Sequence, residues 1–209
     1  MNLLIPVRAN REAQTLKYAI RSICQFNDIE RCLLVGFKPD WYTGEYLPHP
    51  DYTADRKEEN IRDKTVAGSK LMGEFLFAND DHFMLSPYMG VHNKGRLSET
   101  IKSRQPNGSY THLLQNTLSM FGDVPNVDTH YPMMMNREGV QKTVFDWPRW
   151  GVGFKTTYAQ LNSIQSVYHP DNKVYDMKHA GPPYFSTYAG CVSINKLFEM
   201  FPVKSIFEK

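Results

Sequence analysis

The chain has 209 residues, a length that fits one domain with room for a small subdomain. Hydrophobic residues make up 41% and charged residues 22%, which is typical of a globular protein and excludes a disordered, highly charged chain. The formal net charge of +2 argues against a protein that coats nucleic acid, but it leaves room for a local basic patch.

The cysteines and the N-terminus bear on where the protein works. Cys24, Cys32 and Cys191 form no C-x-x-C pair, so we expect neither a disulfide framework nor a zinc site. The first residues lack the basic start and the apolar length of a signal peptide. Apolar stretches stay below the ~18 residues that span a bilayer. These features predict a cytoplasmic protein without a membrane span, in the host cytoplasm if the protein is viral.

The N-terminal segment predicts the start of an α/β sheet. Its apolar run, residues 3–7, indicates a strand that is buried on both faces. Pro6 fits the end of such a strand, where the chain turns toward a ligand. Apolar positions at helical spacing follow the candidate N-cap Asn10, over residues 11–26. A second apolar run, residues 31–36, then completes a right-handed βαβ unit.

The next segment is polar and irregular. Residues 42–56 are rich in Tyr, Pro, Asp and His, which predicts a loop at the sheet edge where α/β proteins bind ligands. A short helix is predicted over residues 66–72. Arg62 and Lys64 precede it, and Arg8 follows the first strand. Each is either a solvated charge or a contact to the phosphates or base of a nucleotide.

The central feature of the sequence is an acidic strand end. An apolar run, residues 75–78, is followed by Asn79, Asp80, Asp81 and His82. Adjacent carboxylates repel, and burying them is costly unless a cation or hydrogen bonds compensate. A divalent metal that holds phosphate would compensate; alternatively, the acidic pair caps the next segment or forms a turn. The strand-end position favours metal and diphosphate, with Asp81 as the leading ligand and His82 as a structural residue.

The C-terminal half has a less regular pattern. Helices are predicted over residues 97–103, 111–121, 137–145 and 156–168; for 111–121 and 156–168 the prediction rests on the spacing of apolar and aromatic residues. Asn136 is expected to cap the third of them. The remaining segments are predicted to be a polar tail over residues 174–185, a strand-like run over residues 190–195, and a short helix or basic tail over residues 196–209.

Several side chains in this half have two interpretations. The basic residues between 94 and 104, Arg96 among them, either bind an anionic acceptor or lie in a solvated loop. Trp147 and Trp150 either form a stacking wall for a sugar or base, or they anchor a loop. His130 precedes an aromatic-proline turn and is either a site residue or a structural histidine.

The order of these parts resembles the GT-A type of nucleotide-sugar glycosyltransferase. The usual D-x-D motif of that type is replaced here by Asn-Asp-Asp. The resemblance implies an α/β fold with a GT-A-like open, mostly parallel sheet flanked by helices, followed by an irregular C-terminal acceptor half. It also implies a single domain (residues 1–209) with a nucleotide-binding half (residues 1–85) and an acceptor half (residues 86–209).

Part of the chain is more closely similar to the Stealth-type sugar-phosphate transferases of polysaccharide synthesis. This similarity rests on the apolar run with its Asn-Asp-Asp end (residues 75–81), on His-Tyr-Pro (residues 130–132) and on Ser-Ile-Asn (residues 193–195). In such enzymes the attack falls on phosphorus and not on the anomeric carbon.

Both resemblances imply a Mn²⁺ or Mg²⁺ ion that bridges the two phosphates of the donor. The residues assigned to the site are as follows: for the metal, Asp81 and His179; for catalysis, Asp80, His130 and Asp176; for the donor, Pro6, Arg8, Arg62, Lys64, Asn79 and Asp80; and for the acceptor, Arg96, Trp147 and Trp150.

We therefore expect a metal-dependent glycosyltransferase that moves a sugar from a nucleotide-sugar donor to an acceptor. The acceptor is a saccharide or a nucleic acid, such as a modified base in viral DNA; the near-neutral net charge weakens the second choice. The alternatives are a sugar-phosphate transferase of the Stealth type and a non-catalytic nucleotide-sugar-binding protein.

Overall fold

A computed structural model describes residues 1–9, 14–52, 57–146, 151–181, 183–187 and 193–209. The predicted N-cap Asn10 and the predicted acceptor residues Trp147 and Trp150 lie outside the described residues. Within the described ranges, no helix combines the length and the apolar character needed to cross a bilayer.

Strands and helices are numbered in chain order. The strands are β1 (Asn2–Pro6), β2 (Arg31–Gly36), β3 (Glu45–Pro48), β4 (Glu74–Phe77), β5 (His82–Met84), β6 (His92–Asn93), β7 (Met133–Asn136), β8 (Val167–Tyr168), β9 (Lys173–Val174) and β10 (Tyr184–Thr187). The helices are α1 (Leu16–Phe26), α2 (Lys57–Ser69), α3 (Leu97–Lys102), α4 (Ser109–Phe121), α5 (Arg137–Asp146), α6 (Phe154–Leu161) and α7 (Ile194–Met200), with a short 3₁₀ helix at Met177–His179.

The main sheet has five strands in the order β3-β2-β1-β4-β7. Strands β1 to β4 are parallel to one another, and β7 runs antiparallel to β4 at the edge. Leu3, Leu4 and Ile5 of the central strand β1 are fully buried, as predicted for a strand covered on both faces. The α/β class is therefore confirmed, and the sheet is mixed because β7 closes one edge.

Helices cover both faces of this sheet. Alternate side chains of a strand point to opposite faces. Leu3 and Ile5 accordingly pack in one cluster with Leu16 and Ile20 of α1, whereas Leu4 packs in a second cluster with side chains of α2, α5 and α6. The four-residue spacing of the α1 contacts is the helical periodicity that predicted this element.

Two small sheets are also present, and the three-stranded one joins the C-terminal half to this layer. Strand β5 pairs antiparallel with β10, which pairs parallel with β9, and β6 pairs with β8. Phe83 of β5 stacks on Phe185 of β10 with ring centroids 4.7 Å apart, and both pack with Tyr18 and Ala19 of α1. Because β5 follows β4 almost directly, this pairing brings β9 and β10 next to the acidic strand end.

Three of the predicted helices are confirmed. The predictions over residues 97–103, 111–121 and 137–145 correspond to α3, α4 and α5. Asn136 caps α5, since its Oδ1 accepts a hydrogen bond from the Gly139 N–H at 2.7 Å.

The polar N-terminal segments were assigned wrongly. The predicted loop over residues 42–56 contains β3, an edge strand whose mostly exposed side chains give no apolar pattern. Helix α2 begins at Lys57, well before residue 66, because its buried face includes polar side chains such as Asn60 and Lys64. Helix α1 begins at Leu16, later than predicted.

Other errors fall in the C-terminal half. The predicted helix over residues 156–168 ends at Leu161, and Ser163 then takes a left-handed backbone conformation with φ 55°, which turns the chain toward β8. The predicted polar tail over residues 174–185 contributes to β9 and β10, which are too short to show an alternating pattern. Of the strand-like run predicted over residues 190–195, residues 190–192 lie outside the described residues, and Ile194 and Asn195 begin α7 instead.

Candidate functional site

A cavity of about 710 Å³ lies beside the C-terminal end of β4. Its walls come from that strand end, from α2, α3, α4 and the first turn of α6, and from the segments before β7 and β9. Among the described residues, the charged side chains that line it are Lys94, Arg104, Lys155, Lys173, Glu58, Glu99, Asp128 and Asp171. Cations and carboxylates are equal in number, so the chemistry depends on how they are paired.

His130 and Asp171 form a hydrogen-bonded pair at the cavity. One carboxylate oxygen accepts the His130 backbone N–H at 2.9 Å, and the other lies 2.7 Å from the imidazole Nδ1. Burial alone would raise the pKa of Asp171, but the hydrogen bond from His130 and the charge of Lys94 outweigh it and hold the pKa well below its ordinary value. Asp171 is therefore ionised, and it orients the imidazole.

The tautomer of His130 follows from its two neighbours. Nδ1 faces an ionised carboxylate, so it carries the proton and donates it. Nε2 lies 3.3 Å from Nζ of Lys173, so its lone pair accepts from the ammonium. The same Nζ is 3.9 Å from Oδ2 of Asp81 at the end of β4. Lys173 thus connects the histidine to the acidic strand end.

A stack of aromatic rings holds the backbone next to His130. Tyr131 is 1% exposed, and it stacks on His92 with centroids 4.1 Å apart and lies 4.4 Å from the ring of Tyr184. Its hydroxyl accepts a hydrogen bond from the Met89 N–H at 3.1 Å. His130 is therefore attached to a rigid part of the fold, which suits a residue that must keep one orientation.

Two further lysines in the cavity are almost fully buried. Nζ of Lys94 donates to the backbone carbonyl of Asp128 at 2.6 Å and to the Asp171 carboxylate at 3.2 Å. Nζ of Lys155 donates to the carbonyls of Thr129 and, at 3.0 Å, of Tyr131. Burial lowers the pKa of Lys155 to about 8 despite nearby carboxylates, so its ammonium is retained at neutral pH.

Asp128 fixes the position of α6 and hence of Lys155. Its carboxylate accepts the Lys155 backbone N–H at 3.1 Å and the Thr156 hydroxyl at 2.6 Å, at the N-terminus of the helix where a negative charge is favourable. A Cβ at Gly153 would lie 2.0 Å from Oδ2 of Asp128, so this close approach requires glycine.

The acidic strand end reaches the cavity through Asn79, which lines it. Asp81 Oδ2 accepts the Ser186 hydroxyl of β10 at 3.0 Å. His82 is fully buried. Burial has the largest effect on its pKa and the charge of Lys155 the next largest, and together they hold the pKa well below the ordinary value, so the ring is neutral. Nδ1 of His82 accepts the Asn79 N–H at 3.2 Å, and the proton therefore sits on Nε2. This burial agrees with the structural role expected for His82.

At the predicted metal site, the Asp81 carboxylate accepts the Ser186 hydroxyl, lies 3.9 Å from Nζ of Lys173 and is not one of the side chains that line the cavity. Within the described parts of the chain, no three Asp, Glu, His or Cys side chains are grouped to hold a metal ion. Mg²⁺ commonly binds through one or two carboxylates and completes its coordination with water and phosphate oxygens, so the donor set is compatible with a metal held at Asp81 beside a diphosphate. Mn²⁺ or Mg²⁺ stays a prediction.

Other residues assigned from the sequence lie away from the cavity. His179 is exposed in the 3₁₀ helix, and Asp176 is close to the ammonium groups of Lys178 and Lys196, at 3.6 and 3.8 Å. Arg96 donates to the backbone carbonyl of Asp123 at 2.6 Å on the exposed side of α3. The structure therefore does not bring Asp176, His179 or Arg96 together with His130. Asp80 follows Asn79 in the turn before β5.

The predicted donor residues lie at the ends of the parallel strands. Pro6 is buried at the end of β1 and pairs with Val35. Lys64 was predicted to meet a diphosphate, but it is 2% exposed, and its ammonium donates to the Val7 carbonyl at 2.5 Å and to the Asp51 carboxylate. Lys64 therefore ties together the loops after β1 and β3.

Two arginines complete the predicted donor set. Arg8 is exposed, and its charge helps to lower the pKa of Asp51. Burial lowers the pKa of Arg62 on α2. Neither side chain lines the cavity; Arg8 follows the end of β1, and Arg62 lies within α2.

Sequence reasoning missed Asp171, Lys155 and Lys173, and it treated Lys94 only as part of a basic region. Asp171 follows a proline in a short connection between strands, and Lys155 lies within a helix. Neither position carries a sequence signal of function, because its partners come from distant parts of the chain.

Comparison with known proteins gives no family to which the chain can be assigned. It matches no protein-family model, and no curated protein matches it. The functional conclusion therefore rests on the side chains around the cavity.

Proposed function

We propose that the protein is a transferase that moves a sugar from a nucleotide-sugar donor to a hydroxyl group of an acceptor. The observation that supports this most is the pairing of His130 with Asp171 at a cavity that also holds three lysine ammonium groups. A histidine oriented by a carboxylate is a common general base, and clustered cations stabilise a leaving diphosphate.

In this reaction Nε2 of His130 takes the proton of the acceptor hydroxyl. The acceptor oxygen forms a bond to the anomeric carbon, and the bond from that carbon to the phosphate oxygen breaks. The nucleoside diphosphate leaves with the bonding electrons. Asp171 stabilises the imidazolium that forms, and the ammonium groups of Lys94, Lys155 and Lys173 offset the charge on the diphosphate.

The donor half of the proposal rests on the parallel strands. A nucleotide at the ends of β1 and β4 would place its phosphates near the acidic strand end, as expected for the GT-A-like arrangement inferred from the sequence. A Mn²⁺ or Mg²⁺ ion at Asp81 would supply further charge neutralisation when bound. Arg8 and Arg62 are the proposed donor contacts outside the cavity.

The acceptor half of the proposal rests on the outer part of the cavity. Arg104 is exposed with its guanidinium 4.5 Å from the ring centroid of Tyr110, and Tyr168 is 64% exposed. Planar groups of this kind bind the faces of sugars and bases. A saccharide and a nucleic acid base are both acceptors that would fit these planar side chains.

A second candidate function is transfer of a sugar phosphate. Lys173 lies 3.3 Å from Nε2 of His130, so a cation stands next to the atom at which the acceptor oxygen would be deprotonated. Attack at phosphorus builds charge on the oxygens of the transferred group itself, and a cation at this position would stabilise it.

The test uses the purified full chain with a panel of nucleotide sugars, with and without Mn²⁺ or Mg²⁺. Thermal shifts identify the donor, and NMR of the product distinguishes a glycosidic bond from a phosphodiester. His130→Gln should lower turnover by about 10²–10⁴-fold, the usual contribution of a general base. His112→Gln, on the exposed side of α4, should leave turnover unchanged.

Two results would contradict the proposal. Full turnover in His130→Gln would remove the histidine from the mechanism. A donor that binds tightly and is never consumed, whatever saccharide or oligonucleotide is added, would favour the non-catalytic binding protein.

A further inference from the structure

The ammonium of Lys173 lies next to the one nitrogen of the proposed catalytic histidine that can accept a proton. The proton of His130 Nδ1 is directed at Asp171, so Nε2 is the only nitrogen with a free lone pair. Nζ of Lys173 is 3.3 Å from that nitrogen. An acceptor hydroxyl that approaches Nε2 therefore meets this ammonium group.

We propose that Lys173 blocks Nε2 of His130 until a phosphate group enters the cavity, draws the ammonium away and frees that nitrogen to act as a base. The inference rests on the proposed function. It adds the phosphate-bearing donor as the group that releases the base, and it makes Lys173 a positioning residue.

Side-chain exposure distinguishes Lys173 from the other two lysines. Lys94 and Lys155 are 7% and 6% exposed, and each donates to backbone carbonyls that are fixed by the fold. The Lys173 side chain is 26% exposed, and its ammonium lies 3.3 Å from Nε2 of His130 and 3.9 Å from Oδ2 of Asp81. Its four-carbon stem lets the ammonium shift by several ångströms while β9 stays in place.

A phosphate competes well with the imidazole for this ammonium. The ammonium forms a charge-assisted hydrogen bond with either partner, but only the phosphate also carries a negative charge, and the partly buried cavity reduces the screening of that attraction by water. Asp81, whose Oδ2 is already 3.9 Å from Nζ, lies on the side toward the acidic strand end. A donor phosphate bound near that strand end would therefore attract the ammonium.

Ordered binding follows from this exchange. The base is available only when the donor phosphates are present, so the acceptor hydroxyl is activated only when it has a sugar to attack. Without a donor, the histidine cannot deprotonate water or an acceptor.

The first test measures the reactivity of Nε2 directly, without donor or acceptor. Diethyl pyrocarbonate acylates unprotonated imidazole nitrogens, and peptide mass spectrometry gives the rate at each histidine. In the wild type, His130 should react more slowly than the exposed His112 and His179. Lys173→Met should raise the rate at His130 about tenfold, the factor for removing one hydrogen bond to a charged group. Lys142→Met, an exposed lysine on α5, is the matched control.

The second test covers the case in which Lys173→Met does not fold. The wild-type chain with ¹⁵N-labelled histidine is titrated with inorganic pyrophosphate, and the Nε2 resonance of His130 is followed. It should move toward the position of a nitrogen without a hydrogen bond. An unchanged acylation rate in folded Lys173→Met, no binding of pyrophosphate, or binding without a change at Nε2 would each overturn the inference. Neither test depends on turnover, so a failure of the transferase assay is a separate result.

Discussion

Replacing Asp171 by asparagine tests the central pair of the site, because it removes one charge and keeps the shape. The carboxylate is 15% exposed and accepts two hydrogen bonds from His130 and one from Lys94. Removing one member of a buried ion pair costs about 3–5 kcal/mol. Lys94 keeps its hydrogen bond to the Asp128 carbonyl, so we expect the lower end, about 3 kcal/mol of unfolding free energy at pH 7.

The stability difference between wild type and Asp171→Asn should depend on pH in a defined direction. The pKa of Asp171 is lower in the folded protein than its ordinary value, so its stabilisation is full above about pH 4 and is lost as the pH falls toward the folded value. The difference between wild type and Asp171→Asn should therefore be largest at neutral pH and should shrink below pH 4.

Urea unfolding followed by circular dichroism at pH 7, 5, 4 and 3 measures this difference. Asp28→Asn, at an exposed position, is the control for a simple loss of surface charge. A cost below about 1 kcal/mol at pH 7, typical of an exposed ion pair, would refute the reasoning. A difference that stays constant down to pH 3 would refute it as well.

Three further substitutions test the buried charges. Burial lowers the pKa of Lys155 from 10.5 to about 8, so above pH 8 the unfolded chain binds more protons than the folded one. The unfolding free energy of the wild type should therefore rise relative to that of Lys155→Met, by up to about 3 kcal/mol between pH 8 and 10.5. Urea unfolding measures this difference. Gly153→Ala should destabilise by about 1–2 kcal/mol in the same assay because it displaces the Asp128 cap, whereas Gly73→Ala, where a Cβ meets nothing within 4 Å, should be nearly neutral. Lys64→Met removes the ammonium from the partly exposed Asp51 carboxylate, which keeps its hydrogen bond from the Ala9 N–H, and should lower the unfolding free energy by about 1.5–3 kcal/mol, seen as a drop in melting temperature.

The sheet core was predictable because its strands are buried on both faces. The apolar runs at residues 3–7, 31–36 and 75–78 correspond to β1, β2 and β4. A strand that is buried on both faces needs apolar side chains at every position, and this gives a continuous apolar run in the sequence. Strand β3 was missed because it lies at the edge, where most of its side chains are exposed and form no buried apolar run. Helix α2 was misplaced because a buried lysine took the place of an apolar residue.

Part of the site was predictable for a similar reason. The acidic strand end stood out because adjacent carboxylates after an apolar run need compensation, and His130 stood out before a proline turn. Asp171 and Lys155 gave no such signal, because each acquires its character from contacts made only in the fold. A sequence pattern can mark a charge that needs a partner, but it cannot name a partner from a distant segment.

The groups that compensate the charge of Asp81 connect the predicted acidic strand end to the proposed chemistry. Asp81 is close to the Ser186 hydroxyl and the Lys173 ammonium, and that ammonium is at the same time hydrogen-bonded to His130. One cation therefore contacts both a carboxylate on the proposed donor side and an imidazole on the proposed acceptor side. A negative charge that arrives between them changes both contacts at once. This arrangement explains why an acidic strand end and a histidine some fifty residues later belong to one site.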